Sequence, residues 1–489
     1  MFPSAIVQFS IVATCFSQQT PVVVEWLTRI ESFWHIVFVV AVLALVITTS
    51  AHAILMKRDH RAAVMWVAFI WLSPLIGAVC YLLLGVNRIR RRAARLRGDE
   101  GKVANPGEAA STDAPPQLLG SNLASLVQLG RNVTSRPLLA GNAIQPLENG
   151  DEAFPAMLRA INEARISVSL ATYIFDHDSG GESFLAALTA AVKRGVAVRV
   201  LIDDVGARYS HPPMARALRR HGVPCAHFLP QVWFRRFAAM NMRSHRKTLV
   251  IDGRTAFMGG MNIRAGNLLE RQPPARHPIR DLQFGVTGPV VAQLQATFVD
   301  DWHYCTGEHL AGEVWFPPLV PAGEVAARVI TDGPDEDLDK LNWMLHGALG
   351  AARKSIWIAT PYFLPDQPLI AALTTAALRG VEIRIVLPAR NNLPFVHWAS
   401  RAGWWQVLKP GCRLWLTAGP FDHSKVVVID ETWSLVGSAN WDARSLRLNY
   451  EINLEAYDPT FARQLVQHLE TKLAAAHEVT LAEVNARPL

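Results

Sequence analysis

One eight-residue pattern occurs twice in this chain, each time with the same sequel. The first copy is His245-Arg-Lys247-Thr-Leu-Val-Ile-Asp252 and the second is His423-Ser-Lys425-Val-Val-Val-Ile-Asp430. Gly259-Gly260-Met261-Asn262 follows the first and Gly437-Ser438-Ala439-Asn440 the second, so Asn trails His by 17 residues in both. Composition alone gives a single His-x-Lys-x4-Asp match about once in a hundred such chains, and a second match with the same downstream residues excludes coincidence. Lysine usage adds to the case. Only nine of 48 basic residues are Lys, yet two hold the same motif position, as a steric demand for a compact point donor requires. The duplication confines the chain to two related halves that share one reaction centre.

The spacing sets the local geometry. Residues 247–251 are an apolar, β-branched run, Asp252-Gly253 is a turn signal, and residues 255–258 pair back as a second strand. The second copy repeats this over 425–429, a turn at Asp430-Glu431, and 433–436. His and Lys are two apart on an extended strand and face the same way. Asn262 and Asn440 lie just beyond the return strands, so each half offers an imidazole, an ammonium and an amide to a tetrahedral phosphate. One neutral His attacks phosphorus to give a phosphoramidate, and a protonated His serves the leaving and entering oxygens. Imidazole suits both duties because its ordinary pKa is about 6.5. The lysines and asparagines neutralise the phosphoryl oxygens. This chemistry calls for no metal or cofactor, and the histidines are not clustered with Cys or carboxylates at ligand spacing.

Acidic residues complete each half. Glu451, 28 residues after His423, and Asp281, 36 residues after His245, are placed to orient the imidazole of their own half, with 271–278 read as an inserted loop. Asp252 and Asp430 are counted with the catalytic motif, although their place at the turn suits support of the hairpin better than contact with substrate. Ser438, where the first copy has Gly260, supplies a hydroxyl for the phosphate once only.

These residues carry a resemblance. Residues 244–253, 259–263, Tyr173-Ile-Phe175, Arg194-Gly-Val196 and Arg444-Ser-Leu-Arg-Leu-Asn-Tyr-Glu451 resemble the phospholipase D superfamily, and more narrowly the bacterial cardiolipin synthases, over about residues 30–485. The resemblance implies transesterification through a phosphohistidine, with His245 as nucleophile and His423 as acid/base; the symmetry of the copies makes these roles interchangeable on the sequence. It also implies condensation of two phosphatidylglycerols into cardiolipin and glycerol. Rival readings of the same site are a phospholipase D releasing phosphatidic acid and a nuclease.

A doubled strand–helix–strand order stands behind the motifs: strand-like runs at 166–175 and 356–363, helical stretches at about 182–194 and 367–379, then strands at 196–203 and 381–388. It predicts an α/β fold of two similar halves, 136–318 and 319–489, each a sheet flanked by helices, with the site at their seam. Residues 33–56 and 62–86 contain no Asp, Glu, Lys or Arg, and each run is long enough to cross a bilayer, so a hairpin of two membrane helices is expected within 33–87. Residues 1–32 are taken as an N-terminal segment, in which 1–24 are moderately apolar and lack the basic start and cleavage pattern expected of a cleaved signal. Residues 88–135 are expected to be a basic juxtamembrane stretch and a flexible linker, the latter over 98–120. Arg88, Arg90, Arg91, Arg92, Arg95 and Arg97 favour an inner-membrane protein with its catalytic part on the cytoplasmic side.

A net charge of +7 and a pI of about 9.3 suit an acidic partner, either anionic lipid or nucleic acid. A membrane anchor argues for phosphatidylglycerol and cardiolipin and against nucleic acid. Two aromatic patches, 233–237 and Trp398 with Trp404-Trp405, are read either as bilayer contacts or as core. Five scattered Cys suggest neither zinc nor a disulfide framework.

Overall fold

The computed structural model describes residues 21–57, 60–85, 122–228, 242–272, 275–335 and 337–486. The chain divides into two compact units, residues 1–88 and 89–489.

The first unit begins with a helix, Pro21–Met56, of which Arg29–Met56 is long and apolar enough to cross a membrane. The second expected span is not one helix. His60–Leu72 stops at Ser73 (φ −141°, ψ 77°), and Pro74–Cys80 starts afresh, passing into a π-helical turn at Tyr81–Gly85. The two pieces fold back on each other. The rings of Trp66 and Tyr81 are 5.4 Å apart, whereas a continuous helix would separate them by about 22 Å. Tyr81 Oη lies 2.7 Å from His52 Nδ1 on the long helix. Gly77 permits the reversal, because a Cβ there would come within 2.5 Å of Phe69 O. Proline has no N–H and its ring collides with the carbonyl four residues back, so the helix breaks at Ser73-Pro74. Each leg spans about 18–20 Å, short of a hydrocarbon core of about 30 Å.

In the second unit both halves share one mixed sheet with mirrored strand order. From the join outward, the first half runs Leu139–Glu148, Leu282–Thr287, Thr255–Gly259, Thr248–Ile251, Ser167–Thr172, Ala197–Asp203, Cys225–Phe228. The second runs Val325–Asp332, Asn449–Tyr457, Trp433–Gly437, Val426–Ile429, Ser355–Ala359, Glu382–Pro388, Arg413–Thr417, with Ala476–Val479 added at the edge. The halves meet where Leu139–Glu148 pairs antiparallel with Val325–Asp332. The predicted helices are present as Ser179–Lys193 and Gln367–Leu378, capped alike by Asp178 and Asp366. One core belongs to both halves: Met258, Phe284 and Leu294 pack with Val329, Trp357, Ile452 and Phe461. Burial of this shared apolar surface stabilises the join.

Part of the stretch expected to be linker is core instead. Ala124–Thr134 is a helix whose Leu126 and Val127 pack with Met344 and Leu345 of the second half. Leu123, Leu126, Val127 and Val133 follow helical spacing, a period hidden by the polar, glycine-rich stretch before it. Residues 98–120 and the arginines at 88–97 lie outside the described residues, as does the aromatic patch at 233–237. Trp404 is buried, whereas Trp398 and Trp405 are exposed.

The motif hairpins form as predicted, Thr248–Ile251 with Thr255–Gly259 and Val426–Ile429 with Trp433–Gly437. Asp252 and Asp430 occupy the turns at the far end from the histidines. The Asp252 carboxylate accepts the backbone N–H groups of Arg165, Ile166 and Ser167, and Asp430 those of Arg353, Lys354 and Ser355. Each therefore fixes the start of the neighbouring strand, and neither reaches the reaction centre. Replacing either with Ala is expected to cost about 2 kcal/mol of stability by leaving three amides without their charged acceptor. Thermal unfolding tests this, and a midpoint unchanged in both variants would remove the hairpin role.

Candidate active site

Each histidine is delivered across the seam. Arg243–Ser244 pairs in parallel with Asn449–Tyr450, and Phe421–Asp422 with Ile279–Arg280. The pairing continues one residue further, His245 N donating to Tyr450 O (2.8 Å) and His423 N to Arg280 O (2.7 Å). Each imidazole is thus laid beside the acid of the opposite half. His245 Nδ1 is 3.0 Å from Glu451 Oε2, and His423 Nδ1 is 2.8 Å from Asp281 Oδ2. The expected pairing of each His with the acid of its own half is reversed. Counting residues along one half cannot reveal a partner that arrives through a strand of the other.

The lysines are almost wholly buried between these pairs. Lys247 Nζ donates to His245 O (2.7 Å) and Lys425 Nζ to His423 O (2.5 Å), which leaves further N–H groups on each ammonium for a ligand. Lys425 Nζ also stands 3.0 Å from His423 Nδ1. The residues between His and Lys point the other way and anchor the strands. Arg246 Nη1 grips both oxygens of Asp301 at 2.7 Å, and Lys472 Nζ donates to Ser424 Oγ at 3.0 Å.

The supporting residues divide. Asn262 Oδ1 accepts Ile174 N (3.0 Å), while its Nδ2 has no hydrogen-bond partner among the described residues. Asn440 Nδ2 donates to Ser445 Oγ (3.2 Å). The Ser438 hydroxyl is not offered to phosphate; it donates to Glu451 Oε2 (2.5 Å) and so steadies the acid behind His245. At Gly260 a Cβ would meet the Asp281 carboxylate at 2.9 Å, so the first copy has room for nothing larger than Gly. Sequence reasoning assigned no role to two tyrosines: Tyr173 stands edge-on to His245 at 5.3 Å and Tyr362 to His423 at 6.5 Å. The signals for Tyr173 were its place at the end of the first strand-like run and its presence in the Tyr173-Ile-Phe175 stretch that carries the resemblance.

Four basic groups and two acids share a nearly dry space. Burial lowers both lysines, Lys247 to about 7 and Lys425 to about 8. Burial also lowers both histidines, with Lys425 and Lys247 adding to the effect at His423. The acids diverge. Burial raises Asp281 to about 7. At Glu451 burial pushes upward as well, but His245 and Lys247 outweigh it and the carboxyl ends below its usual range. Without a ligand, burial favours the neutral form of both imidazoles. An arriving phosphate would favour the protonated forms around it.

Residues 157–277 and 345–473 match the family described as cardiolipin synthase, phospholipase D-like domain, and residues 37–85 match the phospholipase D-nuclease N-terminal segment. Cardiolipin synthase A of Pseudomonas fluorescens SBW25 is 33% identical over 446 residues, 88% of this chain and 90% of that protein. The chain belongs to the phospholipase D-like cardiolipin synthase family. Cardiolipin synthase A of Pseudomonas putida W619 is 33% identical over 89% of this chain and 91% of its own. Phosphatidylserine synthase of Haemophilus influenzae Rd KW20 shares the fold, with a TM-score of 0.57 at 16% identity over 73% of this chain and 92% of that one.

The depressed lysines give this family member a pH signature. A fixed-charge phosphonate analogue of a phosphodiester lipid binds the protonated ammoniums, so complex formation near pH 7.5 takes up protons. Its affinity is greatest below the free-site values of about 7 and 8 and falls as pH rises through them. Calorimetry in buffers of different ionisation enthalpy measures the uptake. Zero uptake with a flat affinity between pH 6.5 and 9 would contradict the lysine assignment.

Proposed function

We propose that this chain is a membrane-bound cardiolipin synthase that transfers a phosphatidyl group from one phosphatidylglycerol to another. The observation that carries the reading is the match to proteins named cardiolipin synthase A over about nine-tenths of both chains. The buried His/Lys quartet supplies the chemistry. His245, the nucleophile by family analogy, forms a P–N bond as the P–O bond to glycerol breaks, and the departing oxygen takes a proton from His423. The terminal hydroxyl of a second phosphatidylglycerol returns that proton as its oxygen attacks phosphorus and the P–N bond opens. Glu451 and Asp281 hold the imidazoles for these exchanges.

Detergent-solubilised protein given headgroup-labelled phosphatidylglycerol should yield cardiolipin and free glycerol in equal amounts. Phosphatidic acid without cardiolipin would make water the acceptor and the chain a phospholipase. His245→Ala and His423→Ala should each retain less than about one-thousandth of wild-type turnover. Normal turnover by either would end the two-histidine mechanism.

The apolar helix Arg29–Met56 and the family assignment indicate a membrane protein. Our finer reading is a single crossing of the inner membrane followed by a re-entrant pair, with catalysis on the cytoplasmic side. If 29–56 crosses, the folded-back 60–85 segment returns to the face it entered. Lys57, Arg58, Arg61 and the six arginines at 88–97 then share one side, while residues 1–28 contain no Lys or Arg. That division obeys the positive-inside rule, whereas two full crossings would split the basic residues between sides. Exposed Phe395, Trp398 and Trp405 suit contact with the headgroup layer. In a variant keeping only Cys15, an impermeant maleimide should label intact spheroplasts. Labelling only after permeabilisation would restore the two-span hairpin.

A further inference from the structure

The two halves differ most in what lies just outside the phosphate site. Two residues before His245, on the same face of the strand, is Arg243. Two residues before His423 is Phe421, whose ring packs on that imidazole at 5.7 Å. Arg243 Nη1 donates to Tyr173 Oη (2.8 Å), and Tyr173 stands edge-on to His245 and under Lys247 Nζ, 5.4 Å from its ring centre. One tyrosine ring therefore separates the Arg243 guanidinium from the reaction centre.

A second arginine joins it from the other half. Arg444 is carried on a turn in which Asp442 Oδ1 accepts the N–H groups of Arg444 (2.8 Å) and Ser445 (2.9 Å). Arg444 O accepts Asn449 N (3.0 Å), and Asn449 is the residue paired with Arg243; burial, then like charge from Arg243, makes ionisation of the Arg444 guanidinium less favourable. Arg444 Nη2 and Arg243 Nε are buried without hydrogen-bond partners. Neither side chain forms an ion pair among the described residues. Other arginines around the site are neutralised: Arg246 by Asp301, Arg328 by Glu455, and Arg264, two residues after the first motif Asn where the second copy has Asp442, by Asp176 at 2.9 Å. Two adjoining guanidiniums with buried, unmet donors are costly until an anion arrives.

We propose that Arg243 and Arg444 form a second phosphate subsite, which holds the phosphodiester of the acceptor lipid while its terminal hydroxyl reaches the phosphohistidine. This rests on the synthase reading above. The donor carries a single phosphate, and the His/Lys quartet takes it. A second phosphodiester one glycerol away exists only when the acceptor is itself phosphatidylglycerol. Guanidinium forks suit such a monoanion, binding it with paired, charge-assisted hydrogen bonds. Tyr209, 60% exposed and 6.3 Å from Tyr173, stands at the rim. Water has no phosphate to place here, so the subsite favours transfer to lipid over hydrolysis.

The test compares acceptors in mixed micelles of the full-length protein, following label from donor phosphatidylglycerol into cardiolipin and into the product with monoacylglycerol, an uncharged lipid alcohol. Arg444→Gln should lower cardiolipin formation about tenfold or more, through the KM for acceptor, while transfer to monoacylglycerol falls less than about threefold. Arg444→Lys, which keeps charge without the fork, should fall between. An equal loss with both acceptors, or no loss with either, would overturn the subsite. An unchanged melting temperature shows that Arg444→Gln is folded; if it is not, the Lys variant decides by the same ratio. Wild-type protein that makes no cardiolipin would overturn the synthase reading itself, and the subsite with it.

Discussion

The site depends on an exchange of strand ends. Four residues before the lysines, 243–244 and 421–422, leave their own halves to pair with 449–450 and 279–280 of the other. Neither half can then hold its imidazole alone. The Glu451 that orients His245 follows the segment which His245's own strand borders, and Asp281 stands in the same relation to His423. Separating the halves would take each imidazole away from the carboxylate that it meets across the seam. The shared core across Leu139–Glu148 and Val325–Asp332 is accordingly a condition of catalysis as well as of stability.

That arrangement holds positive charge where water cannot screen it. Lys247 and Lys425 are almost completely enclosed, and burial brings both within reach of neutrality at physiological pH. A phosphoryl group meets donors already in position, so little reorganisation accompanies the charge that develops on its oxygens. The dry surroundings that make the empty site costly are what strengthen its hold on the reacting group. Glu451 and Asp281 keep the cost tolerable, and Ser438 fixes Glu451 in turn.

Much of this was legible in the sequence because it is local. Period-two alternation placed His and Lys on one face, Asp-Gly and Asp-Glu marked the turns, and the doubled strand–helix–strand order located two halves. Asp252 and Asp430, counted with the catalytic motif, bind backbone amides at the turns that the same local pattern marks. What failed was non-local or hidden by uniform composition. The acid partners are set by pairing between distant strands, 206 residues apart for His245 and Glu451 and 142 for His423 and Asp281. The Ser438 hydroxyl was matched to phosphate when a nearer carboxylate claims it. In the anchor, an unbroken apolar run concealed a reversal that one Pro and the close approach at Gly77 produce. Hydropathy measures how long a segment is, and it cannot register that the segment turns back.

Duplication alone gives a symmetric centre, which suffices for taking up a phosphoryl group and passing it on. Choosing the acceptor is a different demand, since a symmetric site treats whatever lies on its two sides alike. The departures from symmetry gather where that choice is made. Phe421 answers Arg243, and Asp442, which shapes the turn that carries Arg444, answers a neutralised Arg264. The quartet of His and Lys stays matched because in-line displacement uses entering and leaving oxygens in the same way. Selection on the reaction holds the motifs equal, and selection on the second substrate lets their surroundings diverge. The asymmetry of an otherwise repeated site is therefore where its substrate preference is written.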